Sequence, residues 1–437
     1  MTISIKDDEI IKIEEGNRED FHYGISFDIG TTSVYGGLLD LKNKKTLSTV
    51  SSYNGQIRYG DDVITRIIYA NKGGLHILQK SIFGTMEEII DELLKETKLK
   101  RSDISYIVCS GNTTMIHLLL GIPPRYIREE PYTPAITSKF SIPASTLGLK
   151  FDPSVILYTL PCVSSYIGSD ITAGVTACGM RESKEITLYV DLGTNGEIVL
   201  GNCDFLLSCS TSAGPCFEGG GIKCGVRAQV GAIDGVEIDK DGNPSLMVIG
   251  GGKPAGICGA GLIDLVSWLW KAGIISQKGK FEKNIKNPRI REKKYILVWA
   301  DESQTNSDIV ITEGDLDNII RTKAAIFAGI SVLLKTVGIT YKDIERIVIA
   351  GNLGSHIRPN EAIEIGLFPN IELDKFHFFG NGSFIGATIS CFSKEMFLET
   401  EKTASSMTNI ELSSDKSFMD EFIASMFIPH TNYQWKV

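Results

Sequence analysis

Apolar and polar positions along this chain change period several times, and each change marks an element. In YGISFDIGTTSVYGGLLDL, residues 23–41, two apolar, β-branched runs flank the polar phrase Asp-Ile-Gly-Thr-Thr-Ser, which predicts two strands joined by a tight turn. The arrangement returns at LYVDLGTNGEIVLGN, residues 188–202. Helical spacing governs TMEEIIDELLKETK, where Met86, Ile89, Ile90, Leu93 and Leu94 share a face and Thr85 with Glu88 makes a capping-box pattern, so the helix is expected to start at Thr85. ISYIVCSGNTTMIHLLLG reads as a strand, a Ser-Gly-Asn-Thr-Thr loop and a helix. TEGDLDNIIRTKAAIFAGISVLLKTVG puts Leu316, Ile319, Ile320, Phe327, Ile330 and Leu334 largely on one face of a long helix that Gly338 stops. IERIVIAGNLGSH is a further buried strand ending in glycines.

Strands alternating with helices predict an α/β protein. Residues 1–22 read as a polar lead-in, 23–185 as a first domain, and 186–437 as a second domain with a carboxy-terminal extension. The charged stretch Lys278 to Lys294 reads as a solvated surface insertion.

Composition narrows the function classes. A chain of 437 residues, 43% hydrophobic, can bury a large core, and a net charge of -9 argues against a nucleic-acid backbone as the main partner. The start, MTISIKDDEIIKIEEGNRED, lacks the apolar segment of a signal peptide, and no later run is long enough to span a bilayer, so a cytoplasmic protein without membrane attachment is expected. Nine cysteines without an export signal read as reduced thiols. Cys203, Cys209, Cys216 and Cys224 fall in one segment, but their gaps of six, seven and eight match no standard ferredoxin spacing and no C-x-x-C occurs, so no iron-sulfur cluster is expected.

The repeated phrase is where chemistry is expected. Phosphates are held by backbone N–H groups pointing one way, and glycine turns let the main chain come close. Gly30 and Gly193 supply that approach, the hydroxyls of Thr31, Thr32, Ser33 and Thr194 can donate to phosphate oxygens, and Asn195 and Gly196 complete the second turn. Asp28 and Asp191 are suited to hold a hydrated Mg2+ beside them. One Asp-x-Gly-Thr is ordinary hairpin chemistry; two copies followed by a glycine-ended strand say more.

Together, DIGTTS, DLGTNGE and IAGNLGS resemble the phosphate-1, phosphate-2 and adenosine motifs of the ASKHA superfamily, which contains acetate and sugar kinases, heat-shock chaperones and actin. The resemblance implies two ribonuclease H-like domains with ATP and magnesium in the cleft between them, catalytic carboxylates at Asp28, Asp170 and Asp191, and Gly351, Asn352 and Gly354 against the adenine. Asp170, the acid in LPCVSSYIGSDITAGVTACG, has two readings: a residue that positions water or metal, or a carboxylate complementing a helix N-terminus. Lys323 also has two, a contact to ribose or adenine and a surface lysine.

The phrases NGQIRYGDDVITRI, SGNTTMIHLLLG, CSTSAGPCFEGGGIKCGVRA, GICGAGLID, IRTKAAIFAGISVLL and FIPHTN, spread from Tyr23 to the end, resemble the ATP-dependent reductive activators of corrinoid proteins. That resemblance implies an ATPase driving one-electron reduction of inactive Co(II) corrinoid to Co(I), for a methyltransferase system, with a corrinoid protein as partner. Members commonly carry an iron-sulfur domain, often amino-terminal. Here about 22 residues precede the first strand, so the electron is expected from a separate low-potential donor such as a ferredoxin. Ser208, Ser210, Thr211 and Ser212 in CSTSAGPCFEGGG are expected to line a corrinoid-facing loop, against the reading of a polar turn. A small-molecule kinase and a nucleotide-dependent chaperone or assembly factor remain the rival functions, and a homodimer is compatible with all three.

Overall fold

In a computed structural model, which describes every residue except 7–8, 20, 194, 284, 352, 354–355 and 433–437, the amino-terminal stretch is more than a polar lead-in. Thr2–Lys6 (β1) and Glu9–Glu14 (β2) pair antiparallel with Ile3 opposite Ile13 and Ile5 opposite Ile10. The hairpin is tied down by Lys12 Nζ donating to the Ser102 carbonyl at 2.9 Å and by an Arg18–Asp103 ion pair.

The chain forms two compact units, Met1–Arg181 with Asn381–Asn409, and Glu182–Gly380 with Ile410–Val437. The sequence places one boundary near residue 186; the structure returns the chain to the first unit for residues 381–409.

In unit 1, Tyr23–Ile29 (β3), Ser33–Asp40 (β4) and Lys45–Tyr53 (β5) form an antiparallel meander. Val63–Tyr69 (α1) and Leu75–Thr97 (α2) follow, then Ile104–Gly111 (β6), Thr113–Leu120 (α3), the one-turn Arg125–Arg128 (α4), Phe140–Pro143 (β7), Ile156–Thr159 (β8) and Ser169–Ala177 (α5). The sheet order is β5-β4-β3-β6-β8-β7, with β3, β6 and β8 parallel. Ile25, Phe27 and Ile29 alternate into a core closed by Leu78, Ile82, Met86, Ile89, Ile90 and Leu93 of α2. That helix starts at Leu75, upstream of the expected cap. Thr85 lies inside it, its Oγ1 donating to the Ser81 carbonyl at 3.3 Å and accepting the Gly55 N–H at 3.0 Å, because the apolar face continues upstream through Leu78 and Ile82.

Unit 2 repeats the plan. Thr187–Leu192 (β9), Gly196–Gly201 (β10) and Leu206–Thr211 (β11) form the meander. Ala232–Ile238 (β12), Pro244–Val248 (β13) and Gly256–Ile257 (β14) make a small sheet followed by Gly259–Lys271 (α6). Ile290–Arg291 (β15), Lys294–Val298 (β16) and Ile309–Thr312 (β17) make another. The charged stretch expected to be a solvated surface insertion is mostly exposed; it also supplies β15, and its Arg289 Nη1 donates to the Ile296 carbonyl at 3.0 Å. Glu313–Val337 (α7) runs from a Thr312–Asp315 capping box to Gly338, as its pattern predicts. Arg346–Ala350 (β18), Pro359–Glu364 (α8) and Phe376–Gly380 (β19) complete the order β19-β18-β9-β10-β11. In each unit a meander is extended from its first strand by two parallel strands, so the repeated phrase belongs to a repeated sheet.

The returning segment supplies Gly382–Phe392 (α9) and Lys394–Ser406 (α10) to unit 1, and Lys416–Ser425 (α11) belongs to unit 2. The return has a steric reason. A Cβ at Gly386 of α9 would sit 2.3 Å from the Ala173 carbonyl oxygen of α5, so these helices pack backbone to backbone. No helix among the described residues is long and apolar enough to cross a membrane.

Candidate functional site

Two matched carboxylates end the first strands of the two meanders. Asp28 on β3 stands opposite Ser110 of β6, and Asp191 on β9 stands opposite Ala350 of β18.

In unit 1 the turn after Asp28 is held from behind. Its carbonyls are all engaged: Gly30 accepts from Asn54 Nδ2 at 2.9 Å, Thr31 from Arg66 Nη2 at 2.6 Å and Thr32 from the Asn54 N–H at 2.9 Å. Asn112 Nδ2 donates to Thr31 Oγ1 at 3.0 Å. Arg66 is fully buried and also donates to the Gly60 carbonyl and Gln56 Oε1; burial lowers its guanidinium to about 10, so it stays charged at neutral pH. The buried cation thus holds the Thr31 carbonyl and Asn54 holds those of Gly30 and Thr32. A Cβ at Gly30 would lie 2.5 Å from the Ser33 carbonyl oxygen, which makes glycine the residue this turn admits.

Asp28 itself is fixed by the returning segment. Its Oδ2 accepts from Asn381 Nδ2 at 2.9 Å and its Oδ1 from Ser383 Oγ at 2.7 Å, while Ser110 Oγ lies 2.8 Å from Ser383 Oγ. Asn381 also caps α9, its Oδ1 accepting the Phe384 N–H. The sequence reading missed Asn381 and Ser383. A signal was present, since FFGNGS repeats the strand-Gly-Asn phrase of CSGNTT and IAGNLG.

Asp170 sits in the first turn of α5, and its Oδ1 accepts the Ile171 N–H at 2.9 Å, so the helix-terminus reading describes its local bonding. It also lies within reach of Asp28's charge: burial first, and then Asp28, push it to about 7, while burial raises Asp28 despite the Ser383 and Asn381 bonds. Two partly buried carboxylates repelling each other fit a divalent cation, whose charge relieves both. Magnesium keeps several waters and takes one or two carboxylates.

In unit 2, Gly193 N–H donates to the Asn195 carbonyl at 3.1 Å, and Gly196 is locked into the sheet by Thr211 Oγ1 donating to its carbonyl at 3.1 Å. Gly351 has φ +87°, and a Cβ there would lie 3.0 Å from Asp191 Oδ1 and 2.8 Å from the Leu192 carbonyl oxygen. The second turn and the glycine-ended strand, far apart in sequence, therefore meet at one carboxylate. Glu218, which the sequence reading passed over, lies against the same turn, its Oε1 4.0 Å from the Cβ position of Gly193. Thr194, Asn352 and Gly354 fall outside the described residues.

Two expectations are corrected. Lys323 is fully buried, neither on the surface nor directed at a nucleotide: its Nζ donates to the carbonyls of Phe427 at 2.5 Å and Pro429 at 2.6 Å, and desolvation pushes it well below the usual lysine value. Sequence spacing missed this because its partners are main-chain atoms about a hundred residues away. Ser208 and Thr211 do not face a partner either, since both are buried in β11, a strand rather than a loop. Ser210 is partly exposed and Ser212 exposed. Of the four cysteines in this region Cys209 and Cys216 are buried, Cys224 is partly buried and Cys203 is exposed.

Comparison with known proteins adds an independent line. Residues 185–436 match the family model described as the C-terminal domain of RACo, the ASKHA domain, and residues 23–183 match the RACo middle region. The chain is 35% identical over 424 residues to the corrinoid activation enzyme RamQ of Eubacterium limosum, covering 94% of this chain and 71% of that one. It is 26% identical over 413 residues to a [Co(II) methylated amine-specific corrinoid protein] reductase of Methanosarcina barkeri, covering 87% and 71%. Among solved structures, a reductive activator for corrinoid,iron-sulfur protein superposes with a TM-score of 0.89 at 45% identity, over 98% of this chain and 69% of that one.

Proposed function

We propose, on the premise that this chain belongs to the RACo family of ASKHA-domain proteins, that it is an ATP-driven activator returning a corrinoid protein from Co(II) to Co(I). The observation that carries the reading is the family match to both halves of the chain, together with relatives named for corrinoid activation.

The chemistry asks for one electron moved uphill onto cobalt. About 59 mV corresponds to a factor of ten for one electron, so a gap of a few hundred millivolts lies within reach of ATP binding and hydrolysis. The chain's own residues supply the nucleotide end. The turn at Gly30 to Ser33 offers its N–H edge and hydroxyls to phosphate, Asp28 is oriented by Asn381 and Ser383, and Asp170, poised near neutrality, holds or releases a proton at the same place. Asp191, set beside Gly351, does the corresponding work in unit 2. Asp28 with Asp170 in unit 1, and Asp191 in unit 2, are the carboxylates suited to hold the waters of magnesium, which would neutralise phosphate charge.

The electron comes from a separate low-potential carrier of the ferredoxin type, and Ser210 and Ser212 are the members of the serine-rich segment still available to a partner. The test supplies a Co(II) corrinoid protein, a low-potential donor, magnesium and ATP, and follows Co(I) by visible absorbance. Co(I) should form only with ATP and the protein together. Equal yield without ATP, with a metabolite phosphorylated instead, would transfer the reading to the kinase class.

A further inference from the structure

The β1–β2 hairpin is built inside out. Its polar positions are engaged with the chain itself: Thr2 Oγ1 donates to the Gly16 carbonyl at 2.9 Å, Lys12 Nζ reaches the Ser102 carbonyl at 2.9 Å, and Glu14 pairs with Lys12 at 2.9 Å. Its apolar positions face water. Ile3, Ile5, Ile10 and Ile13 are 42%, 66%, 59% and 60% exposed, and Met1, two positions before Ile3, is 81% exposed.

The register puts these side chains on one face. Ile3 stands opposite Ile13 and Ile5 opposite Ile10, and alternation along β1 keeps Ile3 and Ile5 together, with Met1 in the same phase. The register shift between Ser4 and Ile5 adds one residue to β2, so Ile10 and Ile13, three positions apart, still point the same way. Without that extra residue Ile10 would turn to the polar side.

A lone two-stranded sheet is marginal in water, and a contiguous apolar face is a surface that proteins ordinarily cover. The four isoleucine positions include no charged side chain, which is the device that keeps an isolated hairpin from associating. At their observed exposures these five residues present on the order of 500 Å² of mostly apolar surface. Two such faces laid together would remove about 1,000 Å² from water, the size at which specific association begins.

The chemistry of the face selects its occupant. A charged or strongly polar surface would lose its water here and gain no hydrogen bond in return. A flat aliphatic sheet face packs best on another, about 10 Å away. The hairpin is itself such a face, and a two-fold axis brings one patch onto its own copy and closes the assembly at two chains. We infer that a second copy of this chain covers the hairpin, the two isoleucine faces packing against each other across a two-fold axis. None of the five residues belongs to either Asp-x-Gly-Thr turn, so the dimer does not rest on the activator reading.

The test is sedimentation velocity on the full chain without nucleotide, from about 1 to about 50 μM. Wild type should pass from monomer to dimer, or remain dimeric, across that range. Ile5→Thr with Ile10→Thr keeps strand propensity while removing apolar surface at one cross-strand pair, and should weaken association at least about ten-fold. Ile13→Lys, a single charge on the same face, should do so as well and covers the case in which the double variant unpairs the hairpin. Because these side chains are exposed in the single chain, both variants should melt within about two or three degrees of wild type when dilute. A wild-type monomer throughout the range, or unchanged association in the folded variants, overturns the inference. A chain that is monomeric alone but binds a corrinoid protein or a ferredoxin, and loses that binding in the same variants, gives the face to another partner and also overturns it. No ATP or cobalt turnover enters these measurements, so their failure is separable from failure of the activator reading.

Discussion

The two Asp-x-Gly-Thr turns read alike in sequence, and each is approached closely by a glycine at the end of the neighbouring parallel strand, Gly111 against the Ile29 carbonyl and Gly351 against the Leu192 carbonyl. The first is braced by side chains: Arg66, Asn54 and Asn112 hold the turn, and Asn381 and Ser383 hold its aspartate. In the second, Gly351 stands against Asp191 and Thr211 Oγ1 donates to the Gly196 carbonyl. The side chains that brace the first turn and its aspartate come from residues distant in sequence.

The largest effect is expected at the brace. Arg66→Met should strand the Thr31, Gly60 and Gln56 acceptors in the interior and lower stability by about 3–5 kcal/mol, seen as a fall of roughly 10 °C in Tm by calorimetry. A Tm within about two or three degrees of wild type, the size of a neutral surface change, would mean that the buried cation does not organise the first turn.

Removing the carboxylates tests whether the two turns share a task. Asp28→Ala and Asp191→Ala should each weaken magnesium-dependent ATP binding by about a hundred-fold in titration calorimetry, roughly 2.7 kcal/mol. Asp28→Ala should in addition lower Tm, because Asn381 and Ser383 lose their acceptor. Wild-type affinity in a folded double variant would remove both turns from the nucleotide site.

Backbone approach is the next measure. Gly351→Ala forces a side chain into left-handed backbone and against Asp191, and should cost about 1–3 kcal/mol while weakening ATP binding. Unaltered melting and binding in the Gly351→Ala protein would show that the second turn tolerates what its geometry forbids.

The smallest effect concerns pH. Asp170 rises from an ordinary carboxylate value to about 7 on folding, so the folded chain holds this proton more tightly than the unfolded one. Its contribution favours folding most at acidic pH and declines as pH climbs from about 4 to about 7. Asp170→Asn should flatten that part of the Tm-against-pH curve, and an unchanged slope would show that the carboxyl titrates normally.

Much of this was legible in the chain. Both turns, the meander strands and α7 follow from local pattern, because a period of two or 3.6, a capping box and a stop glycine act within a few residues. The places of Asp28, Gly30 and Asp191 were legible for the same reason, since strand and turn composition puts them at the ends of β3 and β9 and in the first turn. What sequence left open was each choice made by a distant partner. The start of α2 depended on apolar positions that continue its face beyond a good capping signal. Ser208 reads as a loop residue from its small, polar neighbours, although pairing with β10 makes it a buried strand residue. The fate of Lys323 was set by the carbonyls of Phe427 and Pro429, which carry no side-chain signature. The sequence by itself determined that this is an α/β chain with two Asp-x-Gly-Thr turns between paired strands, because those features are written in short-range periodicity. Only the tertiary structure decided that residues 381–409 rejoin the first unit and bring Asn381 and Ser383 to Asp28, because that rests on the close packing of α9 against α5 and on hydrogen bonds between residues 353 and 355 positions apart.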